Sequence, residues 1–243
     1  MSCKLCVKSA ASQCAALTLY ALILLNIVII VRIVIHIQPA LQKMVLLNMN
    51  LRMNNMYKIV ALFGEAGTGK DFMLNKVLAA RPDWHKIISC TTRPKRQGEQ
   101  HGVNYFYHTM DEFKEKINND QMLECVMFNN WYYGTSTESV VEDNINVGVF
   151  NPQGIHDLLA RGDCEVLAIR LRTPDKMRLI RQLNREEDPD VKEVCRRFLA
   201  DYSDFGEIDF PYYEIRNATE LDGWTGPEEI VYQTETTFEQ GRH

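Results

Sequence analysis

Eight consecutive residues, Gly64-Glu65-Ala66-Gly67-Thr68-Gly69-Lys70-Asp71, have the composition and spacing of a phosphate cradle. Glycines let successive backbone N–H groups turn toward one anion, and a lysine directly after the last glycine can reach the β/γ-phosphates of a nucleotide. The apolar run Ile59-Val60-Ala61-Leu62-Phe63 precedes the cradle and Phe72-Met73-Leu74-Asn75-Lys76-Val77-Leu78 follows it. A buried strand thus meets a helix start at the glycines, the context a P-loop demands. One position departs from the pattern: Asp71 stands where a Ser or Thr hydroxyl would hold Mg²⁺, so Asp71 becomes the candidate metal ligand.

A second segment, Ser89-Cys90-Thr91-Thr92-Arg93-Pro94-Lys95-Arg96, is basic and rich in hydroxyls at the end of a short strand read over 86–90. It suits a second phosphate, because arginine forks bind phosphate oxygens bidentately. Farther along, Arg181 and Arg185 are four apart in a segment read as helix over 175–184 and its end, a spacing that places them on one face.

The elements that must position these groups alternate. After the first helix come a strand at 86–90, a turn and aromatic strand at 98–107, a short helix opened by Met110-Asp111-Glu112-Phe113, and a hairpin from 122–126 and 131–135. From Ser136 the chain reads as helical, then as strand (146–151), helix (155–161), buried strand (164–171), helix (175–184), charged loop (185–190), helix (191–205) and last strand (212–217). Strands alternating with helices imply a parallel sheet with right-handed crossovers. Residues 56–220 therefore form the expected domain, and 221–243 read as a polar, loosely held tail.

The motifs taken together resemble the guanylate kinases: the segment 89–96, Gly98-Glu99, Gly102-Val103-Asn104-Tyr105, Glu124 and Tyr132-Tyr133-Gly134-Thr135. That resemblance implies a P-loop NTPase-type parallel sheet flanked by helices, with a small acceptor-binding β subdomain and a helical lid. It implies ATP, accompanied by Mg²⁺, at Gly64, Glu65, Ala66, Gly67, Thr68, Gly69, Lys70, Asp71 and Asn217, the last against adenine. It implies GMP or dGMP as acceptor, its phosphate on Arg93, Arg96, Tyr105 and Tyr133 and its guanine on Ser89, Glu124 and Thr135. Lys70, Arg181, Arg185 and a third lid arginine, Arg196, would neutralise charge during phosphoryl transfer. Two departures bear on turnover: Asp71 in the loop, and Asn151 before Gln153-Gly154, where the resemblance implies an acidic strand end. The chain is then either an active kinase whose acidic group has moved into the loop, or one that binds nucleotide and turns over poorly. The competing readings are a partner-binding module of the same fold without catalysis and a kinase for another nucleoside monophosphate.

Composition narrows the class. With 46% hydrophobic and 24% charged residues over 243, the chain is ordinary for a globular protein. A net charge of −5 disfavours a nucleic-acid partner. Seven cysteines without paired spacing through the globular part imply reduced thiols and a cytoplasmic setting, and the lone Cys3/Cys6 pair reads as incidental. Residues 15–37 are almost wholly apolar and long enough to span a bilayer. The segment 1–55 reads as a superfluous leader or as a membrane anchor; Arg32 within the apolar run weighs against the anchor, and no cleavage site marks a signal peptide.

Overall fold

The structure is a computed structural model that describes Gln38 and residues 56–96, 98–128, 130–185, 187–217 and 225–238. The apolar stretch 15–37 lies outside the described residues. Among those described, no helix is long and apolar enough to cross a membrane.

Five parallel strands build the main sheet in the order β2 (His85–Lys86), β7 (Ile145–Val149), β1 (Tyr57–Phe63), β8 (Cys164–Arg172), β9 (Tyr213–Arg216). The central strand is apolar throughout because both its faces are covered. Val60 and Leu62 pack with Met73, Val77, Leu167 and Leu171 on one side, while Ile59, Ala61 and Phe63 pack with Ile155, Leu158 and Phe210 on the other. Burial on both sides fixes β1, and with it the point at which the glycine loop leaves the sheet.

A second, four-stranded sheet has the order β4 (Phe106–Tyr107), β3 (Cys90–Thr91), β6 (Trp131–Ser136), β5 (Met122–Phe128). β5 and β6 form the expected antiparallel hairpin, with Asn130 at φ 63 in its turn. The strand expected over 86–90 is divided: His85 and Lys86 pair with β7, whereas Cys90 and Thr91 pair with β4 and β6. Ser89 thus lies where the chain leaves one sheet for the other. Helical structure after Ser136 amounts to a 3₁₀ turn, Thr137–Ser139.

The helices are α1 (Lys70–Ala80), α2 (Met110–Asn118), α3 (Pro152–Arg161), α4 (Asp175–Leu183), α5 (Val191–Asp204) and α6 (Gly226–Phe238). The last corrects the reading of 221–243 as a loose polar tail. Ile230 and Phe238 are buried in the core beside α1, and Thr234 is buried too because its hydroxyl donates to the Ile230 carbonyl (2.7 Å). That internal hydrogen bond satisfies a polar side chain that composition alone assigns to solvent.

Candidate active site

The glycine loop joins β1 to α1. Gly67 and Gly69 have φ of 81° and 84°, a region that favours glycine. A Cβ on Gly67 would stand 2.5 Å from the Arg178 carbonyl oxygen, so only glycine lets α4 pack on the loop. α1 starts at Lys70 with no side-chain cap, which leaves its N-terminal turn to receive an anion. Lys70 Nζ donates to the carbonyls of Gly64 (2.8 Å) and Glu65 (3.1 Å). Burial lowers its pKa, against the raising effect of Asp71, Asp201 and Glu65.

The side chains of Glu65 and Thr68 turn away from the cavity the loop borders. Glu65 is buried and accepts from Arg170 (2.7 Å) and Arg172 (2.9 Å) of β8, while Thr68 Oγ1 donates to the Glu65 carbonyl (2.8 Å). Asn217, expected against adenine, is buried under the loop instead: its Nδ2 donates to the Thr68 carbonyl (2.6 Å) and lies 2.5 Å from a Cβ placed on Gly69. It braces the cradle and does not line the cavity.

A cavity of about 1320 Å³ brings together Lys70, Asp71, Arg181 and Arg185 with Ser89, Arg93, Arg96, Tyr105, Glu124 and Tyr133. Gly64, Ala66, Gly67 and Gly69 also line it, whereas Glu65, Thr68, Thr135, Arg196 and Asn217 do not. Arg181 and Arg185 both reach it but not from one helix face. α4 ends at Leu183 with Asn184 as its C-cap, so Arg185 belongs to the following loop. Arg196 points elsewhere, held by Glu193 (2.7 and 2.9 Å) and half exposed, and its neighbour Arg197 lines the cavity in its place.

Four guanidinium groups converge. Burial, followed by the charges of Arg93, Arg185 and Arg197, holds Arg96 below the usual arginine range, which places the basic loop after β3 opposite the segment from α4 to α5. Glu99 organises that loop. It accepts from both Arg93 (2.9 Å) and the Arg96 backbone N–H (2.8 Å) and from the Tyr107 hydroxyl (2.8 Å). Arg93 also lies over the Tyr105 ring, 5.5 Å from its centroid, and Tyr105 meets Tyr133 edge-on at 6.2 Å. Burial, with Asp71 as the next contributor, pushes the Tyr105 hydroxyl up to about 12; Tyr105 therefore faces the glycine loop across the cavity.

Glu124 lies on β5, buried, with its carboxylate over the first turn of α3. A Cβ on Gly154 would stand 2.9 Å from Glu124 Oε2, so a larger residue there would push the carboxylate aside. Burial pushes Glu124 up to about 7, opposed by Thr135 and assisted by Asp157. Thr135, opposite Glu124 in the β5/β6 ladder, favours the ionised form, yet its buried hydroxyl completes no hydrogen bond among the described residues. Asn151, the departure noted in the sequence, caps α3 by accepting from Gly154 N–H (2.7 Å).

Sequence reasoning passed over Arg178. This buried side chain donates to the Ala66 carbonyl (3.0 Å) and Asp175 (2.8 Å) and pairs with Asp201, which itself accepts from Ala66 N–H (3.0 Å). The lid helices α4 and α5 are thereby fastened to the tip of the glycine loop. Its only signal in sequence is the three-residue spacing to Asp175, which surface helices share.

The guanylate kinase family profile matches residues 56–214. The chain belongs to the guanylate kinase family. This guanylate kinase chain is 32% identical over 166 residues to the guanylate kinase of Prochlorococcus marinus, covering 65% of this chain and 89% of that one. It is 28% identical over 174 residues to that of Mycoplasma genitalium, covering 70% and 72%. Its fold is similar to the crystal structure of guanylate kinase from Anaplasma phagocytophilum, with a TM-score of 0.54 at 18% identity over 78% of this chain and 89% of that chain.

Proposed function

We propose that this guanylate kinase domain transfers the γ-phosphoryl group of ATP to GMP or dGMP. The observation that carries the reading is the content of one cavity: a P-loop lysine, five arginines from two parts of the chain, and a buried carboxylate. Transfer of this kind needs positioning and charge neutralisation in place of a nucleophilic side chain. Lys70, Arg181 and Arg185 would neutralise the triphosphate and the transferring group, with Arg197 the better-placed third lid arginine. Arg93, Arg96, Tyr105 and Tyr133 would hold the acceptor phosphate. Glu124, ionised, would accept guanine N1–H and one N2–H side by side, whereas adenine offers an unprotonated N1 that would face it acceptor to acceptor.

The residues present fit the divalent ion that accompanies ATP. Asp71 is an exposed hard-oxygen donor in the first turn of α1, on the cavity wall beside Lys70. When bound, Mg²⁺ offsets charge between the phosphates. The four described cysteines are free, in keeping with the cytoplasmic setting proposed here, and the reading uses nothing from residues 1–55.

A coupled phosphotransfer assay with ATP against GMP, dGMP, AMP, CMP and UMP tests the function. GMP and dGMP should be turned over at comparable rates, since no residue identified here reads the 2′-hydroxyl. Turnover of none of the five would overturn the enzyme reading, and a preference for AMP or a pyrimidine would overturn the acceptor.

A further inference from the structure

We infer that Asp157 is a second reader of the acceptor base, forming with Glu124 a two-carboxylate clamp that sets the preference for a base bearing an exocyclic amine. The inference rests on the GMP reading above. Its first support is position. The Glu124 carboxylate lies over Gly154 in the first turn of α3, and Asp157, three residues along, shares that helix face. Both side chains line the same cavity. Gln153 Nε2 donates to Asp157 Oδ1 (2.8 Å), which orients the carboxylate, and no hydrogen bond reaches its other oxygen among the described residues. Asn151, the nearest alternative, has its side-chain oxygen engaged by Gly154 N–H.

The second support is chemistry. Guanine presents three N–H donors on this edge, N1–H and two on the exocyclic amine, and one carboxylate accepts only two of them side by side. The outer N2–H needs a further acceptor, because a buried donor left unpaired costs its full desolvation. Asp157 supplies that acceptor. Its charge also acts on Glu124, adding to burial in raising that carboxyl, so two acidic groups share a space that three donors would relieve. Hypoxanthine has N1–H but no exocyclic amine and leaves Asp157 facing a C–H.

The test compares kcat/KM for GMP and IMP, with ATP as donor, in the full chain and in its Asp157→Ala and Asp157→Asn variants. Asp157→Ala should lower the GMP value by about tenfold or more while leaving IMP nearly unchanged, as expected for loss of one hydrogen bond to a charged group. Asp157→Asn, which keeps a neutral acceptor, should fall between. If Asp157 merely braces Gln153 and α3, both substrates fall together and the GMP/IMP ratio stays put, which overturns the inference. Unaltered protein that phosphorylates GMP well beside variants with an unchanged ratio sinks the clamp alone. Unaltered protein inactive on GMP sinks the functional reading and the clamp with it.

Discussion

The donor loop and the acceptor pocket face one cavity but are built by opposite means. Around the loop, side chains brace the backbone: Glu65 accepts from Arg170 and Arg172, Thr68 donates to the Glu65 carbonyl, and Asn217, just after β9, donates to the Thr68 carbonyl. In the pocket, side chains do the reading and stay poised. Glu124 is buried and its carboxyl is raised by that burial, and the Thr135 hydroxyl is buried without a hydrogen bond among the described residues. Groups poised in this way cost stability, whereas the braced loop gains it.

The strongest way to break this comparison is Lys70→Met, the loop position whose side chain is proposed to serve the phosphates. Loss of such an electrostatic contact should lower kcat by about 10²–10³ with the fold retained, read by steady-state kinetics and circular dichroism. Asn217→Ala comes next. Removing a buried brace should lower stability by about 1–3 kcal/mol and raise the KM for ATP, while leaving the choice between ATP and GTP as donor unchanged. A change in donor choice without a loss of stability would restore Asn217 to the adenine.

Gly154→Ala sharpens the contrast from the acceptor side. The added methyl displaces the Glu124 carboxylate by a few tenths of an ångström, which should cost GMP kcat/KM about tenfold with the KM for ATP unchanged. Thermal stability should hold or rise, since alanine is the better helix former by roughly 0.5–1 kcal/mol. The smallest effect belongs to Asp71→Ser. A carboxylate close to a triphosphate repels it unless a divalent ion intervenes. ATP affinity of the unaltered protein should therefore depend on Mg²⁺ more steeply than that of the variant, by a factor of a few in a titration. Equal slopes would remove Asp71 from the metal site.

The same contrast explains what could be read from sequence. The glycine loop, β1 and the basic segment from Ser89 to Arg96 were legible because backbone chemistry and phosphate binding impose local patterns. Asn217, Arg196 and Thr135 do not line the cavity, because a resemblance assigns a residue to a site without saying which way its side chain faces in this chain. Arg178 and Asp157 went unnoticed because their meaning comes from contacts across the fold, to Ala66 and Asp201 in one case and toward Glu124 in the other. Helix α6 was missed because a threonine-rich segment looks solvated until Thr234 is seen bonding its own helix.

Glu124→Gln, followed in both activity and stability, tests the central claim most directly. The folded carboxyl titrates near 7 against an ordinary value of 4.5, so its proton is retained on folding across that interval. Its contribution to stability is complete below the unfolded pKa and is lost as pH rises through about 7. At pH 8 the ionised group therefore costs on the order of 3 kcal/mol, a cost that glutamine escapes. The variant should be more stable than the unaltered protein at pH 8 and equal to it near pH 4. The proposed guanine reader is the ionised form, so GMP kcat/KM of the unaltered protein should climb with pH through about 7. In Glu124→Gln that climb should vanish, with GMP kcat/KM at pH 8 down by roughly a hundredfold and the KM for ATP preserved. Full GMP activity in the variant, or a pH profile that both proteins share, would contradict Glu124 as the reader of guanine.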